Sequence, residues 1–362
     1  MNQSMIARTS AASVLFLVYL LTGCGTESDR VSDVHTLRVL AVRAETPFTK
    51  PGSITQLSML AFDGSPRAKH ADGSTRATST LWIGGCTNPP GDSFAACMPY
   101  LHAVVEQISD DELAHKTVPA NAPPGIIGWG ETFEAHIPAD IITSRSVAEG
   151  VVNPYGVQMV FFAHCGGTLR RVSADASAFP IACFDSQTGE EFGRDDFEFG
   201  FYPVFSYDAV ENQNPILQSF TYEGTQAGAD CSDSAPCPAE SHCGSENRCL
   251  PVAQRCTASD ADKCAKHALP VAVPQSSAEL DVVAHVSAAD AEPETIWVSY
   301  YANGGSFDHA AQMISVPNTA WNGNPAGEWR ANIDANREVR LWAIVRDSRN
   351  GVAWSWVDVW VQ

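Results

Sequence analysis

Cysteine and histidine are the residues in this sequence whose spacing most clearly implies chemistry. Six cysteines follow one another with five to seven residues between them: Cys231, Cys237, Cys243, Cys249, Cys256 and Cys264. With His242 and His267 nearby, such a run could bind zinc, but zinc knuckles use Cys-x2-Cys pairs and no two cysteines here are that close. The spacing therefore favours three disulfides, which leaves 15 ways of pairing the six thiols. We predict no metal site and no cofactor.

Nucleophilic hydrolysis is the second chemistry to consider. Gly91-Asp92-Ser93-Phe94 resembles the nucleophile block Gly-Asp-Ser-Leu of lipolytic hydrolases, which implies a preceding first strand and a late Asp-x-x-His. Here the block lies between Cys86 and Cys97, and both Asp111–His115 and Asp281–His285 contain one residue too many. Neither Gly-x-Ser-x-Gly nor His-Glu-x-x-His occurs. We therefore predict no catalytic residue and a protein that is not an enzyme, and keep an extracellular hydrolase as a third functional alternative.

Asp195, Asp196 and Glu198 form an acidic cluster that a β-sandwich loop could present to calcium. No spaced Asp-x-Asp-x-Asp loop accompanies the cluster. Clustered charges without such spacing are typical of a solvated surface. We therefore predict a solvated acidic face rather than a calcium site.

Tryptophan is concentrated near the C-terminus, where seven of the nine follow residue 296. Trp354, Trp356 and Trp360 have the same parity on the last predicted strand, so their side chains should point to one face of a sheet. An exposed face would be a ligand platform for sugars or peptides, which gives the second functional alternative, a glycan- or peptide-binding module. Filling of a sandwich core is the simpler interpretation, because large exposed apolar clusters are rare on monomers.

The N-terminal residues have the pattern of an export signal. Arg8 precedes an apolar run from Ala11 to Leu21, which is too short to span a bilayer and is typical of a secretory signal peptide. The next residues complete the segment Leu21, Thr22, Gly23 and Cys24, which resembles the lipobox of bacterial lipoproteins. This resemblance implies that residues 1–23 are removed and that Cys24 receives a diacylglyceryl group and a further fatty acid such as palmitate.

Lipidation would make Cys24 the membrane anchor, because two or three acyl chains on one residue hold a protein stably. Residues 24–35 are short, polar and acidic, and we interpret them as a flexible tether. By the same resemblance, Gly25 stands where enteric lipoproteins retained in the inner membrane carry aspartate. We therefore predict an exported protein attached to the outer membrane, on either its periplasmic or its surface face.

The composition fits a folded exported protein, with 44% hydrophobic and 18% charged residues and a net charge of −20. Such acidity argues against a nucleic-acid partner, whose phosphates need a basic face, and leaves an envelope protein or polysaccharide as the expected partner. Of the eleven cysteines, ten remain when Cys24 is lipidated. An even number in an oxidising compartment predicts five disulfides. They would use the six cysteines above together with Cys86, Cys97, Cys165 and Cys183.

Short apolar runs separated by turn residues predict strands through most of the chain. The clearest candidates are Leu37–Ala44, Ser53–Phe62, Ser79–Ile83, Thr132–Ile137, Val157–His164, Phe179–Phe184 and Phe197–Tyr207. Helical periodicity is scarce and is best at Ala103–Ala114. The predicted fold class is all-β, with two Ig-like β-sandwich domains at 36–209 and 212–362, and a small disulfide-rich insert at 229–266 in the second domain.

An internal repeat supports two copies of one sandwich. The similar segments occur in the same order in each half: Val160–Gly167 with Val298–Gly305, and Ala182–Gly189 with Ile344–Gly351. Each half has an aromatic strand ending in Gly-Gly and a later strand ending in Asp-Ser-x-x-Gly, which are turn sequences. Asp347 lies beside Arg346 and Arg349, but its counterpart Asp185 has no neighbouring arginine, so we predict a turn-stabilising role.

Together, the lipobox, the Ig-like repeats, the insert and the C-terminal Arg346-Asp347-Ser348-Arg349-Asn350-Gly351 resemble lipoproteins of myxobacteria. The resemblance covers nearly the full chain, but its motifs are structural. It implies an address in the cell envelope and does not imply an activity. The first functional hypothesis is therefore a lipid-anchored cell-envelope protein of structural, adhesive or recognition type.

Overall fold

The structure is a computed structural model that describes residues 31–70, 73–146, 151–172, 175, 178–225, 228–232, 234–257, 263–278 and 293–362. The predicted signal peptide, the lipobox Leu21–Cys24 and most of the tether lie outside these residues, so the predictions made for them stay predictions. Residues Ser32–Gln362 belong to one compact unit. Within it, strands dominate and helices are few, so the all-β prediction with sandwich domains is confirmed.

The first half of this unit contains ten strands among the described residues. They are β1 Leu37–Ala44, β2 Phe48–Thr49, β3 Ile54–Asp63, β4 Ser79–Thr87, β5 Ile127–Trp129, β6 Thr132–His136, β7 Tyr155–Cys165, β8 Thr168–Arg171, β9 Ile181–Phe184 and β10 Phe197–Tyr207. Strands β1-β3-β6 form one sheet, β2-β10-β7-β4-β5 form a second, and β8-β9 form a separate hairpin. The two larger sheets pack face to face as the first sandwich, with Leu57, Trp82 and Val160 fully buried between them.

The central strand β7 contains an uninterrupted apolar run from Met159 to Ala163. Val160 and Phe162 point into the sandwich, whereas Met159 and Phe161 point to the opposite side of the sheet. That opposite side is covered by two helices, α1 Met98–Glu106 and α2 Asp110–His115. A strand buried on both faces has no need of polar residues at alternate positions.

The second half contributes ten further strands among the described residues. They are β11 Ser219–Phe220, β12 Ser241–Cys243, β13 Cys249–Ala253, β14 His267–Ala272, β15 Ile296–Ala302, β16 Ser306–Phe307, β17 Ala311–Ser315, β18 Ala326–Arg330, β19 Arg337–Asp347 and β20 Val352–Val361. The sheets are β11-β14-β18-β16 and β12-β13-β20-β19-β15-β17. Alternate residues of β19 and β20, including Leu341, Val357 and Val359, fill the core between these two sheets with Tyr300 and Trp329.

The cysteine-rich insert is not a separate module, because its strands extend the larger sheet. Strand β13 pairs in parallel with the end of β20, where Val252 lies opposite Trp360. All ten predicted cysteines form disulfides, which confirms the disulfide prediction and supplies the pairing that the sequence left open. The pairs are Cys86–Cys97, Cys165–Cys183, Cys231–Cys243, Cys237–Cys249 and Cys256–Cys264.

The two sandwiches contact each other through a small apolar cluster. The outer face of β1, with Leu40 and Ala41, packs against Trp342 and Ile344 on the outer face of β19. Trp342 is 1% exposed and meets the ring of Phe62 edge-on at 4.8 Å. Burial of a tryptophan here fixes one sandwich against the other and covers one end of the β19–β20 face.

The repeated Gly-Gly pairs have a common structural role. A Cβ on Gly166 would lie 2.4 Å from the Arg76 guanidinium, and a Cβ on Gly305 would lie 2.4 Å from Trp329 Nε1. Each pair therefore lets a large side chain lie against the backbone at a strand end. The repeated Asp-Ser turns occupy different places, because the Asp185 turn follows the small β8-β9 hairpin and the Asp347 turn joins β19 to β20.

Candidate functional site

Strand β20 carries the three tryptophans that the sequence singled out. Trp354 is half-buried in the contact between the sandwiches, where the Arg43 guanidinium lies 4.6 Å from its ring centre. Trp356 is 48% exposed, and the Arg340 guanidinium lies 5.5 Å from its ring centre. Trp360 is half-buried, so only the middle tryptophan of the row, Trp356, is largely exposed.

Trp360 is held by the insert. The ring of His242, on β12, stacks on it with 3.7 Å between ring centres and 13° between planes. This contact exists because β13 pairs with the end of β20 and brings β12 alongside. His242 is therefore an aromatic neighbour of Trp360 in this structure.

A groove with a volume of about 770 Å³ opens at this end of β20. Trp360, Arg340 and Asp358 line it from the sheet, and Ser245 and Glu246 line it from the loop between β12 and β13. The first sandwich closes one side through Phe62 and Lys69. The groove is thus formed by three parts of the chain that are far apart in sequence.

Hydrogen bonds fix the polar side chains of the groove. Arg340 donates to both carboxylate oxygens of Asp358, at 2.6 and 2.9 Å, and to Glu246 at 3.0 Å. Burial acts to lower the pKa of Arg340, but hydrogen bonding to Asp358 and the charges of Asp358 and Glu246 outweigh it and raise the pKa. Glu338 accepts hydrogen bonds from the Ser245 backbone N–H and hydroxyl, at 3.0 and 2.9 Å.

The groove therefore combines aromatic surface with pre-oriented charged groups. Aromatic rings bind apolar faces, while a fixed guanidinium donates and fixed carboxylates accept hydrogen bonds in defined directions. Most of the lining is polar or charged, and the rings of Phe62 and Trp360 supply its aromatic surface. Saccharides, with apolar C–H faces and rims of hydroxyl groups, match this combination.

The Gly-Asp-Ser segment has a different surrounding from that of a hydrolase nucleophile. Arg145 donates two hydrogen bonds to the Asp92 carboxylate, at 2.8 and 2.9 Å, and the Tyr155 hydroxyl donates a third at 2.6 Å. Burial acts to raise the pKa of Asp92, but these hydrogen bonds outweigh it and hold the pKa below its ordinary value. Asp92 is thus engaged in an ion pair, and Ser93 lies beside it on an exposed turn.

The prediction of a solvated acidic face at residues 195–198 is wrong for two of the three carboxylates. Asp196 is 1% exposed and accepts hydrogen bonds from Arg67 and Arg76 at 2.5 and 2.7 Å. Glu198 accepts a hydrogen bond from the Val39 N–H at 2.6 Å, and burial raises its pKa. The partners lie more than a hundred residues away in the chain, so local spacing could not reveal them.

Asp347 stabilises its turn by accepting hydrogen bonds from the backbone N–H groups of Arg349 and Gly351, at 2.8 and 2.7 Å. Asp185 accepts equivalent bonds from Gln187 and Thr188, at 2.7 and 3.2 Å. Both carboxylates therefore act on local backbone, in the manner of Asx turns.

The cysteines of the insert come close enough to suggest a metal site. The sulfur atoms of Cys231, Cys237 and Cys243 lie within 4.8 Å of one another. Each belongs to a disulfide. A disulfide sulfur has no thiolate to offer zinc, so the proximity reflects two neighbouring bridges.

Comparisons with known proteins leave the chain without a family. No protein-family model and no curated protein matches it. Alpha-2-macroglobulin of Escherichia coli, activated by porcine elastase, is 10% identical at a TM-score of 0.19, over 91% of this chain and 22% of that chain. Dimeric latent PorU from Porphyromonas gingivalis is 9% identical at 0.18, over 91% and 24%. Domains 3–5 of Drosophila OTK are 11% identical at 0.16, over 90% and 98%.

The chain thus spans less than a quarter of the first two proteins. TM-scores this low support no assignment of fold or function. No helix in the described part of the chain is both long and apolar enough to cross a membrane.

Proposed function

We propose that this protein is a non-enzymatic recognition protein of a bacterial cell envelope, tethered by lipid on Cys24, that binds saccharide in the groove beside Trp360. The observation that carries the proposal is the groove itself. It places the Trp360 ring beside a fixed Arg340–Asp358 pair, and the exposed Trp356 lies next to the groove on the same strand. The body behind this face is two packed sandwiches with five disulfides, which is a rigid support for binding.

The lipid tether is inferred from the sequence of residues 1–35. A membrane address and a saccharide site are compatible, because envelope polysaccharides lie at the membrane to which Cys24 would attach the protein. Cys24→Ser should release the protein from the membrane fraction, since the acylated thiol is removed. Unchanged membrane fractionation of this variant would contradict the anchor while leaving the groove proposal standing.

Affinity electrophoresis through gels containing envelope polysaccharide fractions tests the groove. The full chain should be solubilised in a polyoxyethylene detergent, because sugar-based detergents would compete for the site. We expect a fraction to retard the wild type, and Trp360→Ala to weaken the affinity by about tenfold or more, or about 1.4 kcal/mol. Trp356→Ala should weaken it less, because this ring lies beside the groove.

Phe94→Ala is the matched control, because Phe94 is also an exposed aromatic residue, 42% accessible, but lies in the first sandwich. Near-ultraviolet circular dichroism should show that each variant keeps its fold. Retention that is equal in Trp360→Ala and Phe94→Ala would exclude the groove as the site. If the wild type instead binds envelope peptides and not polysaccharide, and Trp360→Ala loses this binding, the ligand of the groove is a peptide.

A further inference from the structure

A second cavity, of about 480 Å³, lies in the first sandwich between residues 66–70 and 76–77 on one side and the end of the β8-β9 hairpin on the other. Four cationic side chains of the described residues line it: Arg67, Lys69, Arg76 and Lys116. Among the described lining residues, Asp185 carries the single carboxylate. In a chain with a net charge of −20, such an excess of cations at one place requires an explanation.

The floor of this cationic cavity is a fixed ionic network. Arg76, whose side chain is 8% exposed, donates to Asp63 through Nε and Nη2, at 2.9 and 2.6 Å, and to Asp196 through Nη1 at 2.7 Å. Arg67 donates to the other oxygen of Asp196. Because Gly166 has no Cβ, the Arg76 guanidinium can lie against the backbone at the end of β7.

The two arginines are also held by an aromatic ring. Their guanidinium carbons lie 5.4 and 5.6 Å from the ring centre of Phe192, which lines the same cavity. Such cation–π contacts fix the guanidinium groups without using their hydrogen-bond donors. Arg67, with 62% of its side chain exposed, therefore presents donors from a supported position.

The lysines differ from the arginines in having no counter-ion. Among the residues that the structure describes, no carboxylate lies within 4.0 Å of the amine of Lys69 or Lys116, and both side chains are exposed. Asp63 and Asp196 balance the arginines from beneath, and the Asp185 carboxylate, held by two backbone N–H groups, offsets one further positive charge. The two lysines therefore leave the cavity with a smaller excess of positive charge.

We propose that this cavity binds a phosphoryl group. A phosphoryl group offers three oxygens and up to two negative charges to several converging cations, whereas a carboxylate offers two oxygens and one charge. The volume leaves room for part of the molecule that carries it. A phosphorylated saccharide, as a monoester, supplies this chemistry in full, whereas a phospholipid headgroup, as a diester, supplies two free oxygens and one negative charge on a tetrahedral phosphorus. Lys69 lines both this cavity and the saccharide groove, but Lys116 lines only the cavity and Trp360 lines only the groove, so Lys116→Gln and Trp360→Ala distinguish the two sites.

Isothermal titration of the full chain in polyoxyethylene detergent tests the proposal with three probes: inorganic phosphate, glucose 6-phosphate and glycerophosphoglycerol. We expect phosphate to bind at millimolar concentration or below, and the affinity to fall as salt rises. Glucose 6-phosphate binding more tightly than glycerophosphoglycerol supports the site with a phosphorylated saccharide as its source. The reverse order supports the site with a headgroup as its source.

Lys69→Gln and Lys116→Gln should each weaken phosphate binding about fivefold to tenfold, and the double variant should abolish it in this range. Lys50→Gln is the matched control, since Lys50 lies outside the cavity and pairs with Glu211. Both cavity lysines are exposed, so these variants should fold. Absence of phosphate binding by the wild type would overturn the proposal, as would equal affinities of the double variant and Lys50→Gln.

Discussion

Acidification should destabilise this protein through one buried histidine. His164 lies near the end of β7, 4% exposed, with its Nδ1 hydrogen-bonded to the Thr80 hydroxyl at 2.8 Å. Burial lowers its pKa from 6.5 to about 4; the negative charge of Asp63 opposes this shift, and the positive charge of Arg76 adds a smaller contribution in the same direction as burial. The folded protein thus holds this imidazole neutral where an unfolded chain would protonate it.

The sign and the size of the effect follow from proton linkage. Above pH 6.5 His164 is neutral in both states and has no influence on the pH dependence. Between pH 6.5 and 4 the unfolded chain binds a proton that the folded chain does not, so the free energy of unfolding falls as the pH falls. The loss from this one group is about 2 kcal/mol at pH 5 and about 3 kcal/mol below pH 4.

Urea denaturation at pH 7.5 and pH 5, with disulfides oxidised, measures this loss in the wild type and in His164→Asn. Asparagine keeps an acceptor for Thr80 but does not titrate, so the variant should lose about 2 kcal/mol less than the wild type between the two pH values. Comparing the loss of unfolding free energy between the two pH values removes the constant cost of the smaller asparagine side chain, because that cost is present at both. His309→Asn, at an exposed histidine, should follow the wild type. Equal losses in the wild type and His164→Asn would refute the reasoning.

Three further substitutions test the packing by their effect on the free energy of unfolding in urea. Trp342→Ala should cost about 3 kcal/mol or more, because it opens a cavity between the sandwiches. Replacing both Cys165 and Cys183 by alanine should cost about 3 kcal/mol, because it frees a loop of 18 residues in the unfolded chain. Arg76→Gln should cost about 3 kcal/mol or more, because it leaves the buried Asp63 carboxylate without its counter-ion.

Controls separate these effects from general sensitivity to mutation. Trp356→Ala, at a half-exposed tryptophan, should cost less than about 1 kcal/mol. Arg145→Gln breaks an ion pair whose two side chains are about one-quarter exposed, so its cost should be well below that of Arg76→Gln. A Trp342→Ala variant as stable as Trp356→Ala would contradict the packed interface. Similarly small losses for Arg76→Gln or the double cysteine variant would contradict their assigned roles.

The strands could be predicted because their signals are local. The predicted bounds of Leu37–Ala44 and Phe197–Tyr207 are those of β1 and β10, since alternation and flanking turn residues act over a few positions. The predicted helical segment 103–114 covers parts of two separate helices, α1 and α2. Ser109 and Glu112 form a capping box that starts α2, a signal that is visible in the sequence as Ser-x-x-Glu.

The candidate site could be predicted only in part. Strand parity places Trp356 and Trp360 on one face, but it cannot reveal that Arg43 and the first sandwich cover Trp354 at the same time. The partners of Asp196 are equally distant, since Arg76 lies 120 residues away. Contacts of this kind depend on how the sheets pack, which local patterns do not encode.

The saccharide groove is tested most directly by fluorine NMR of the full chain labelled with 5-fluorotryptophan. Single Trp→Phe variants assign the resonances of Trp360, Trp356 and the fully buried Trp82 and Trp329. On addition of the retained polysaccharide fragment, we expect the Trp360 resonance to shift most, the Trp356 resonance to shift less, and the Trp82 and Trp329 resonances not to move. A fragment that binds while the Trp360 resonance stays in place would contradict it.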